Sequence, residues 1–597
     1  MKRVTSVLLV FVMLFGMLAL VPVPAFAEEP TTEQITEPVT EAETEPAGEP
    51  ETEPETEPEI TPDLEQGTDS EEEHAFPQAG PCDCEYVPVV HLAGGHGPLV
   101  ENEGTPEAVS YYGMNIDNLV RDVLPGLEPF IKASLLFRLD DVVTTALDML
   151  WNWVGPLQMR PDGTSVKNLT RIDNTENDLK DKNHQDAWWW YWNRVYTISF
   201  DWRESPLKTA DTLHAYIQRV REATGHSKVH LQAVSGSGTV LAAYVDKYVN
   251  QVDDPDVLSV VQGQSTAGGL ASVGELFRKK ININPQALSS FTWILALETS
   301  GTYEQYVLPV LNALYLTGVW DILAVWFPYW PEKYVDRIYE EFALPTYGTW
   351  PGFWAWVPNE DYEEAKKVMF EGHPEYYSEG FVDTIDAYYN QVAVRQDEIF
   401  IKANEKIKVA IMAGYDVAML PFGNSSDADS DGLVKVERAS LGGTAALFDR
   451  ELPWSYQQAF DTEHNHLSPD RKIDASTCAL PENTWFMKGA LHQGWYEYGE
   501  WYHWWRDAPK GEDTVFSHPE YPQFVVTTSL SDQGDLFDPV QPEPMTVEKV
   551  MSWTWDRVLG TFRVILNWGG REIFKFCHEP LALGLWRFFK TEYDLLV

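Results

Sequence analysis

The stretch that most constrains the fold runs from residue 228 to 245 and reads KVHLQAVSGSGTVLAAYV. It predicts a short apolar strand at 229–233, an abrupt turn at Ser235, and then a helix of small apolar residues. A serine between a strand and a helix lies in a tight turn, where backbone N–H groups at the helix N-terminus can bind an oxyanion. The stretch therefore makes Ser235 a candidate nucleophile, with an ordinary strand–turn–helix as the alternative.

The turn departs at two positions from the G-x-S-x-G pattern that presents a nucleophilic serine at the end of a strand. Ala233 and Ser237 occupy the two positions where that pattern has glycine. Because Ser237 also carries a hydroxyl, it is the alternative nucleophile. The presence and placement of an acid and a base elsewhere in the chain must decide between Ser235, Ser237 and an ordinary turn.

Strand-like and helical segments alternate around this turn. Apolar segments predict strands at 86–92, 196–200, 229–233, 257–261, 408–413, 484–490 and 524–528. The helix before the turn places Leu213, Tyr216, Ile217 and Val220 on one face and ends at Gly225. This alternation predicts an α/β fold with a mostly parallel sheet and right-handed crossovers.

Three segments do not follow the alternation. Residues 105–155 are predicted to be largely helical. Residues 283–400 are predicted to be helical and are rich in aromatic residues, and we interpret them as a cap inserted into the core. Most of these aromatic side chains would fill the cap's own core, and a few could contact an acyl chain or a lipid surface. Residues 511–597 are interpreted as an aromatic-rich, helical C-terminal extension.

The N-terminus has the pattern of a secretory signal. Lys2 and Arg3 precede an apolar run at 7–21, and Ala25-Phe26-Ala27 forms a small-x-small cleavage site. Residues 1–27 are therefore predicted to be a signal peptide and the protein to be secreted. Residues 28–80 are a Glu/Pro/Thr-rich acidic tract, which is predicted to be a disordered linker because it has too little apolar surface to fold.

Charge and cysteine content limit the partners and cofactors. The formal net charge is −49, which argues against binding nucleic acid or anionic membranes through bulk charge. Cys82, Cys84, Cys478 and Cys577 could form one or two disulfides in an oxidising compartment, with a connectivity that the sequence leaves open. The Cys-x-Cys pair could be half of a metal site, but no second pair with zinc spacing follows, so we expect no metal and no cofactor.

A serine nucleophile requires a base that accepts its proton and an acid that orients the base. In a parallel-sheet enzyme of this kind the acid and then the histidine follow the serine in the chain, each after a later strand. Asp431 follows the strand predicted at 408–413, and His492 follows the strand predicted at 484–490. The order and the placement predict a Ser235–His492–Asp431 triad.

Both partners have competitors. Asp427 and Asp429 share the loop with Asp431 and resemble the start of a calcium loop, but basic residues stand where its later ligands should be, so we interpret these two as solvated charges. His466 also follows the acid and is the alternative base; His492 is preferred because a strand carries it to the sheet edge.

Four motifs carry a resemblance to a known family. They are the glycine-rich loop at 93–98 after the first strand, Asp-Trp-Arg-x-Ser-Pro at 201–206, the turn at 228–238, and Ser-Asp-Gly-Leu-Val at 430–434. Over residues 86–500 the chain resembles the lecithin:cholesterol acyltransferase and bacterial lipase branch of the α/β hydrolases. The departures are Val234, where histidine is frequent, and Ser237. In bacterial lipases the triad acid commonly lies in Ser-Asp-Gly-Leu-Val, which favours Asp431.

The resemblance implies an α/β-hydrolase fold with a lid over an acyl pocket. It implies attack on a carboxylic ester through an acyl-enzyme, with the backbone N–H groups of Gly95 and Gly236 as oxyanion donors. The core would comprise 85–282 and 401–510, separated by the cap at 283–400. The expected substrate is a lipid or other ester, with transient lipid-surface contact through the cap.

Two other functions stay open. In acyltransferase relatives a lipid alcohol replaces water as the acyl acceptor, and the same residues would serve. A non-catalytic protein that retains the fold and binds a surface through its tryptophan-rich parts is the second.

Overall fold

Seven apolar strands form one central sheet in which every neighbouring pair is parallel. In chain order they are β1 (Val89–Leu92), β2 (Val195–Ile198), β3 (Val229–Val234), β4 (Val257–Gly263), β5 (Lys408–Tyr415), β6 (Thr484–Lys488) and β7 (Phe524–Val526). Their order across the sheet is β7-β6-β5-β4-β3-β1-β2. Each of the seven predicted strand segments overlaps one of them, so the predicted α/β fold with a parallel sheet is confirmed.

The computed structural model describes residues 82, 84, 86–92, 99–101, 108–111, 125–126, 129, 133, 138–160, 162–171, 194–280, 332–374, 378–419, 427–448, 450–460, 463–492 and 499–526. The predicted signal peptide at 1–27 and the predicted acidic linker at 28–80 lie outside these ranges. Gly95, Cys577 and the cap residues 283–331 also lie outside the described residues. The predictions made for all of them stay predictions.

Helices flank the sheet. They are α1 (Leu139–Val154), α2 (Pro206–Thr224), α3 (Gly238–Tyr244), α4 (Ala271–Phe277), α5 (Glu332–Ile338), α6 (Pro351–Trp354), α7 (Tyr362–Phe370), α8 (Glu379–Gln391), α9 (Gln396–Lys406), α10 (Val436–Ala439) and α11 (Gly499–Asp507). Helix α2 begins with a proline, ends at Gly225 and buries the predicted apolar face of Leu213, Tyr216, Ile217 and Val220. None of the helices in the described part of the chain is long and apolar enough to cross a membrane.

One strand of a small antiparallel sheet lies in the region predicted to be largely helical. Leu99–Glu101 pairs with both Val109–Tyr111 and Leu169–Arg171. The Tyr111 hydroxyl and the Lys167 ammonium both donate to the Glu101 carboxylate, at 2.8 and 2.9 Å. The helical prediction for 105–155 is therefore wrong at 109–111, where pairing with the strand Leu99–Glu101 overrides local helical preference. It is confirmed for α1.

The described Phe, Trp and Tyr residues of the 283–400 segment are buried, except Tyr389, which is half-buried. Trp350, Trp354 and Trp356 belong to the same hydrophobic cluster as the sheet residues. Among the described residues of this segment, Val394 is the one large apolar side chain that is exposed. These tryptophans therefore contribute to packing, and lipid contact through the cap stays a prediction.

The end of the described chain also belongs to the sheet. Strand β7 pairs in parallel with β6, through Phe486 opposite Phe524 and Met487 opposite Val525. The predicted strand at 524–528 thus forms the edge of the central sheet, inside the segment that we assigned to a helical extension. Residues 527–597 lie outside the described ranges.

The strand order reverses beside β1. The chain runs from β1 outward to β2 and then returns to place β3 on the other side of β1. In open parallel sheets, ligands bind in the crevice at the carboxyl ends of the two strands that flank such a reversal. The register pairs Leu92, the last residue of β1, with Ala233, so Ser235 lies beside the end of β1.

Candidate active site

Ser235 occupies a strained turn directly after β3. Its φ is 57°, in the left-handed region that costs a non-glycine residue about 1–2 kcal/mol. The turn Ser235–Ser237 is followed immediately by α3. The Ser235 carbonyl accepts a hydrogen bond of 3.1 Å from the backbone N–H of Thr266, in the loop after β4. This geometry matches the abrupt strand-to-helix turn expected from the sequence.

Ser237 has a different role in the same turn. Its hydroxyl oxygen accepts the Val234 N–H at 3.0 Å, and it lies 2.7 Å from the Val234 carbonyl and 3.0 Å from the Leu92 carbonyl. The side chain is fully buried. The Ser237 hydroxyl therefore closes the turn and ties it to the end of β1. A serine is compatible with this glycine position because the backbone satisfies its hydroxyl.

Asp431 lies in a turn whose sequence explains its shape. Its Oδ1 accepts two backbone hydrogen bonds, from Leu433 N–H at 2.9 Å and from Val434 N–H at 2.7 Å. The first is the side chain-to-backbone bond of an Asx-turn. Gly432 has a φ of 100°, which requires glycine. The Asp-Gly-Leu-Val sequence thus fixes one carboxylate oxygen and leaves Oδ2 for another partner.

His492 connects the serine to the aspartate. Its Nε2 is 2.7 Å from Ser235 Oγ, and its Nδ1 is 2.9 Å from Asp431 Oδ2. Ser235 is 6% exposed, His492 is 4% exposed and Asp431 is fully buried, so both hydrogen bonds are shielded from water. The three residues selected from the sequence therefore form one continuous hydrogen-bonded chain at the carboxyl edge of the sheet.

The alternative base lies elsewhere. His466 is fully buried, and its Nδ1 is 2.7 Å from Oε1 of Gln523, the residue before β7. Gln523 also donates to the carbonyls of Pro481 and Thr484, at the start of β6. Because β6 and β7 are parallel, these contacts place His466 at the amino edge of the sheet, away from Ser235.

Asp429 differs from its prediction as a solvated charge. It is buried, and its Oδ1 accepts the backbone N–H of Asp416. Burial raises the pKa of Asp429 to about 7, against the smaller opposing effect of the Lys472 ammonium. Asp427 is exposed, as predicted. The carboxylates of Asp429 and Asp431 have separate protein partners, so the loop does not gather them around one ion.

Two residues that support the site could not be identified from sequence patterns. Gln264 has a φ of 44°, and its side-chain amide donates to the carbonyl of Leu491, the neighbour of His492, at 2.7 Å. Gly414 is the second: a Cβ there would lie 2.6 Å from the Ala490 carbonyl oxygen and 2.8 Å from Asp431 Cβ. Both residues act through contacts between the carboxyl ends of β4, β5 and β6, and local sequence patterns do not reveal such contacts.

Of the two predicted oxyanion donors, the structure describes Gly236 but not Gly95. Gly236 is the second residue of the helical turn that starts at Ser235, where backbone N–H groups have no partner within the helix. It is buried beside the serine. Gly95 lies outside the described residues, in the segment that follows Leu92.

A narrow crevice lies beside Gly236 and has largely apolar walls. Its lining includes Phe200, Trp202, Val240 and Trp356. Trp202 of the Asp-Trp-Arg motif forms part of this lining. Its neighbour Arg203 is fully buried and donates to the Asp201 carboxylate through Nε, at 3.0 Å, and Nη2, at 2.6 Å, which fixes the motif.

The same motif also contacts residues 350–356, in the segment that precedes β5. The Arg203 carbonyl accepts the Gly352 N–H at 2.9 Å, and Trp202 packs edge-to-face on Trp350 with ring centroids 5.2 Å apart. These contacts attach residues 350–356 to the motif, and Gly352 and Trp356 form part of the crevice wall.

No family model matches the chain, and no curated protein has a significantly similar sequence. The functional interpretation therefore depends on the geometry of these residues.

Proposed function

We propose that the chain is a secreted serine hydrolase with an α/β-hydrolase fold that cleaves carboxylic esters, lipid esters among them, through an acyl-enzyme. The observation that carries the proposal is the hydrogen-bonded chain from Ser235 Oγ through His492 to Asp431 Oδ2. A buried serine, imidazole and carboxylate in this order form the arrangement that activates a serine hydroxyl at neutral pH.

In the first step, Ser235 Oγ attacks the ester carbonyl carbon while His492 Nε2 accepts the hydroxyl proton. Asp431 stabilises the imidazolium that forms, and its Oδ2 holds the Nδ1 proton, which keeps Nε2 free to act as the base. The backbone N–H of Gly236, together with that of Gly95, donates to the oxyanion of the tetrahedral intermediate.

In the second step, the intermediate collapses and the C–O bond to the leaving alcohol breaks. His492 Nε2–H donates its proton to the departing alkoxide oxygen, which leaves Ser235 acylated. Water then attacks the acyl carbon while His492 accepts a proton from it. When the second intermediate collapses, the bond between the acyl carbon and Ser235 Oγ breaks and His492 Nε2–H returns its proton to Oγ. This step releases the carboxylic acid and restores the serine hydroxyl.

The positions of the three residues in the sheet support the fold assignment. The nucleophile follows β3, the acid follows β5 and the histidine follows β6, which is the chain order of α/β hydrolases. Between β4 and β5 the chain inserts helices α5 to α8, which carry Trp356 to the wall of the crevice. This insertion lies at the chain position where the sequence predicts a cap, which supports the proposal.

A fluorophosphonate probe, which reacts with an activated serine, tests the proposal. Wild-type protein should be labelled, and Ser235→Ala should abolish both labelling and hydrolysis of a p-nitrophenyl ester. Ser237→Ala is the matched control: it should retain labelling and lose stability by about 1–3 kcal/mol, because the backbone groups that it binds become unsatisfied. Absence of labelling in well-folded wild-type protein would favour the non-catalytic binding protein and overturn the proposal.

A further inference from the structure

A second cluster of reactive side chains lies at the opposite edge of the sheet from the triad. Cys82 and Cys84 precede β1, and His226 lies between α2 and β3. Strands β1 and β3 are adjacent and parallel, with Val89 opposite His230, so the segments that precede them meet at the amino edge. The Cys82 N–H donates to the Gly225 carbonyl at 3.0 Å, which fixes the cysteine segment against the residue before His226.

The donor atoms of these three residues converge. The two sulfur atoms and one imidazole nitrogen lie within 4.8 Å of one another, and Cys84 Sγ is 3.4 Å from His226 Nε2. In a tetrahedral zinc site, with Zn–S of about 2.3 Å and Zn–N of about 2.0–2.1 Å, a sulfur and a nitrogen ligand lie about 3.6 Å apart. The observed separation is close to this value.

We propose that Cys82, Cys84 and His226 bind a Zn²⁺ ion, with water in the fourth position. Two thiolates and an imidazole form a soft S₂N donor set, which suits zinc and disfavours calcium or magnesium, since those ions take oxygen ligands. Cys84 is exposed and Cys82 is half-buried, so an ion can enter from solvent, whereas the buried His226 provides a fixed ligand from the body of the fold.

The ion would join two segments that are distant in the chain. It would attach the residues that precede β1 to the junction between α2 and β3, next to the hydrogen bond between Cys82 and Gly225. Zinc binds cysteine as the thiolate, so binding near neutral pH will release thiol protons. A site of this kind stabilises the folded state because the unfolded chain does not hold the three ligands together.

The test is zinc binding by the full chain after reduction and removal of metal with a chelator. Wild-type protein should bind one Zn²⁺, show a higher Tm with zinc, and give a thiolate-to-metal absorption band with Co²⁺. Cys82→Ser, Cys84→Ser and His226→Gln should each weaken zinc binding by more than about 100-fold, because loss of outer-sphere partners alone costs 10–100-fold. Cys478→Ala, which removes a buried cysteine outside the cluster, should bind zinc like the wild type.

Three results would overturn the proposal. The first is reduced, folded wild-type protein that takes up no zinc. The second is unchanged affinity in the three ligand variants, each having the same metal-free Tm as metal-free wild type. The third is a Cys82–Cys84 disulfide, seen by mass spectrometry, in protein exported and purified in the presence of zinc. Ser235→Ala protein should bind zinc normally, which separates this test from that of the hydrolase.

Discussion

The most informative single change is Asp431→Asn, because the structure determines which way the amide must face. The atom that replaces Oδ1 must accept the N–H groups of Leu433 and Val434, at 2.9 and 2.7 Å, and only the amide oxygen can do so. The amide nitrogen then takes the place of Oδ2, 2.9 Å from His492 Nδ1, and donates a hydrogen bond to it.

This donation reverses the tautomer of the imidazole. Nδ1 becomes the acceptor, so the single proton of neutral His492 moves to Nε2, which faces the Ser235 hydroxyl at 2.7 Å. Nε2 can then no longer accept the serine proton. An equivalent substitution in a serine protease lowers kcat about 10⁴-fold with the geometry intact, which corresponds to about 5 kcal/mol in the activation free energy.

The measurement is kcat for a p-nitrophenyl ester together with the rate of fluorophosphonate labelling, both of which should fall by about 10⁴-fold. Asp429→Asn is the control, since it also neutralises a buried carboxylate of this loop, yet Asp429 binds the Asp416 N–H and Lys472 rather than His492. A folded Asp431→Asn protein with kcat within about tenfold of wild type would refute the assigned role of Asp431.

Three further experiments test the site and its surroundings. Gly414→Ala should lower both the Tm and the labelling rate, because its Cβ would lie 2.6 Å from the Ala490 carbonyl oxygen, and overpacking of this kind costs about 1–3 kcal/mol; an unchanged Tm in a thermal melt would contradict this. The pKa of Asp429 is raised from 3.8 to about 7, so between these values the folded state keeps a proton that the unfolded chain has released, and wild-type stability should fall as pH rises. Over that window the loss is at most about 4 kcal/mol, and Asp429→Asn should remove it; equal pH slopes of the urea unfolding free energy in both proteins would show the reasoning to be wrong. With a long-chain alcohol competing against water, a hydrolase should release mainly free acid, and a predominance of transferred ester in product analysis would favour the acyltransferase.

The triad could be predicted because each of its members has a local signal. Ser235, Asp431 and His492 each follow an apolar segment that is recognisable as a buried strand, and parallel strands bring their carboxyl ends to one edge. The Asp-Gly-Leu-Val turn and the small residues after Ser235 are also local features. The chain order of strands and loops was therefore enough to place these residues close together.

The residues that the sequence did not reveal depend on contacts between distant segments. The burial of Asp429 depends on Lys472, whose ammonium lies 4.0 Å from the Asp429 carboxylate and 2.6 Å from that of Asp416. The proposed role of His226 depends on the register of β1 against β3, and a cysteine pair without a second pair gave no reason to look for a histidine. Such convergence has no periodicity that a sequence pattern could show.

The loop after β4 explains how the strained Ser235 and His492, which follows another strand, keep their separation. Thr266 N–H holds the Ser235 carbonyl at 3.1 Å, and two residues earlier the Gln264 side chain holds the Leu491 carbonyl at 2.7 Å. The Gln264 N–H also binds the Met412 carbonyl of β5, at 2.8 Å, so the loop itself is fixed to the next strand. A left-handed residue persists only where its neighbours determine its conformation. One loop that binds the backbone at both Ser235 and Leu491 meets this requirement for Ser235 and positions His492 at the same time.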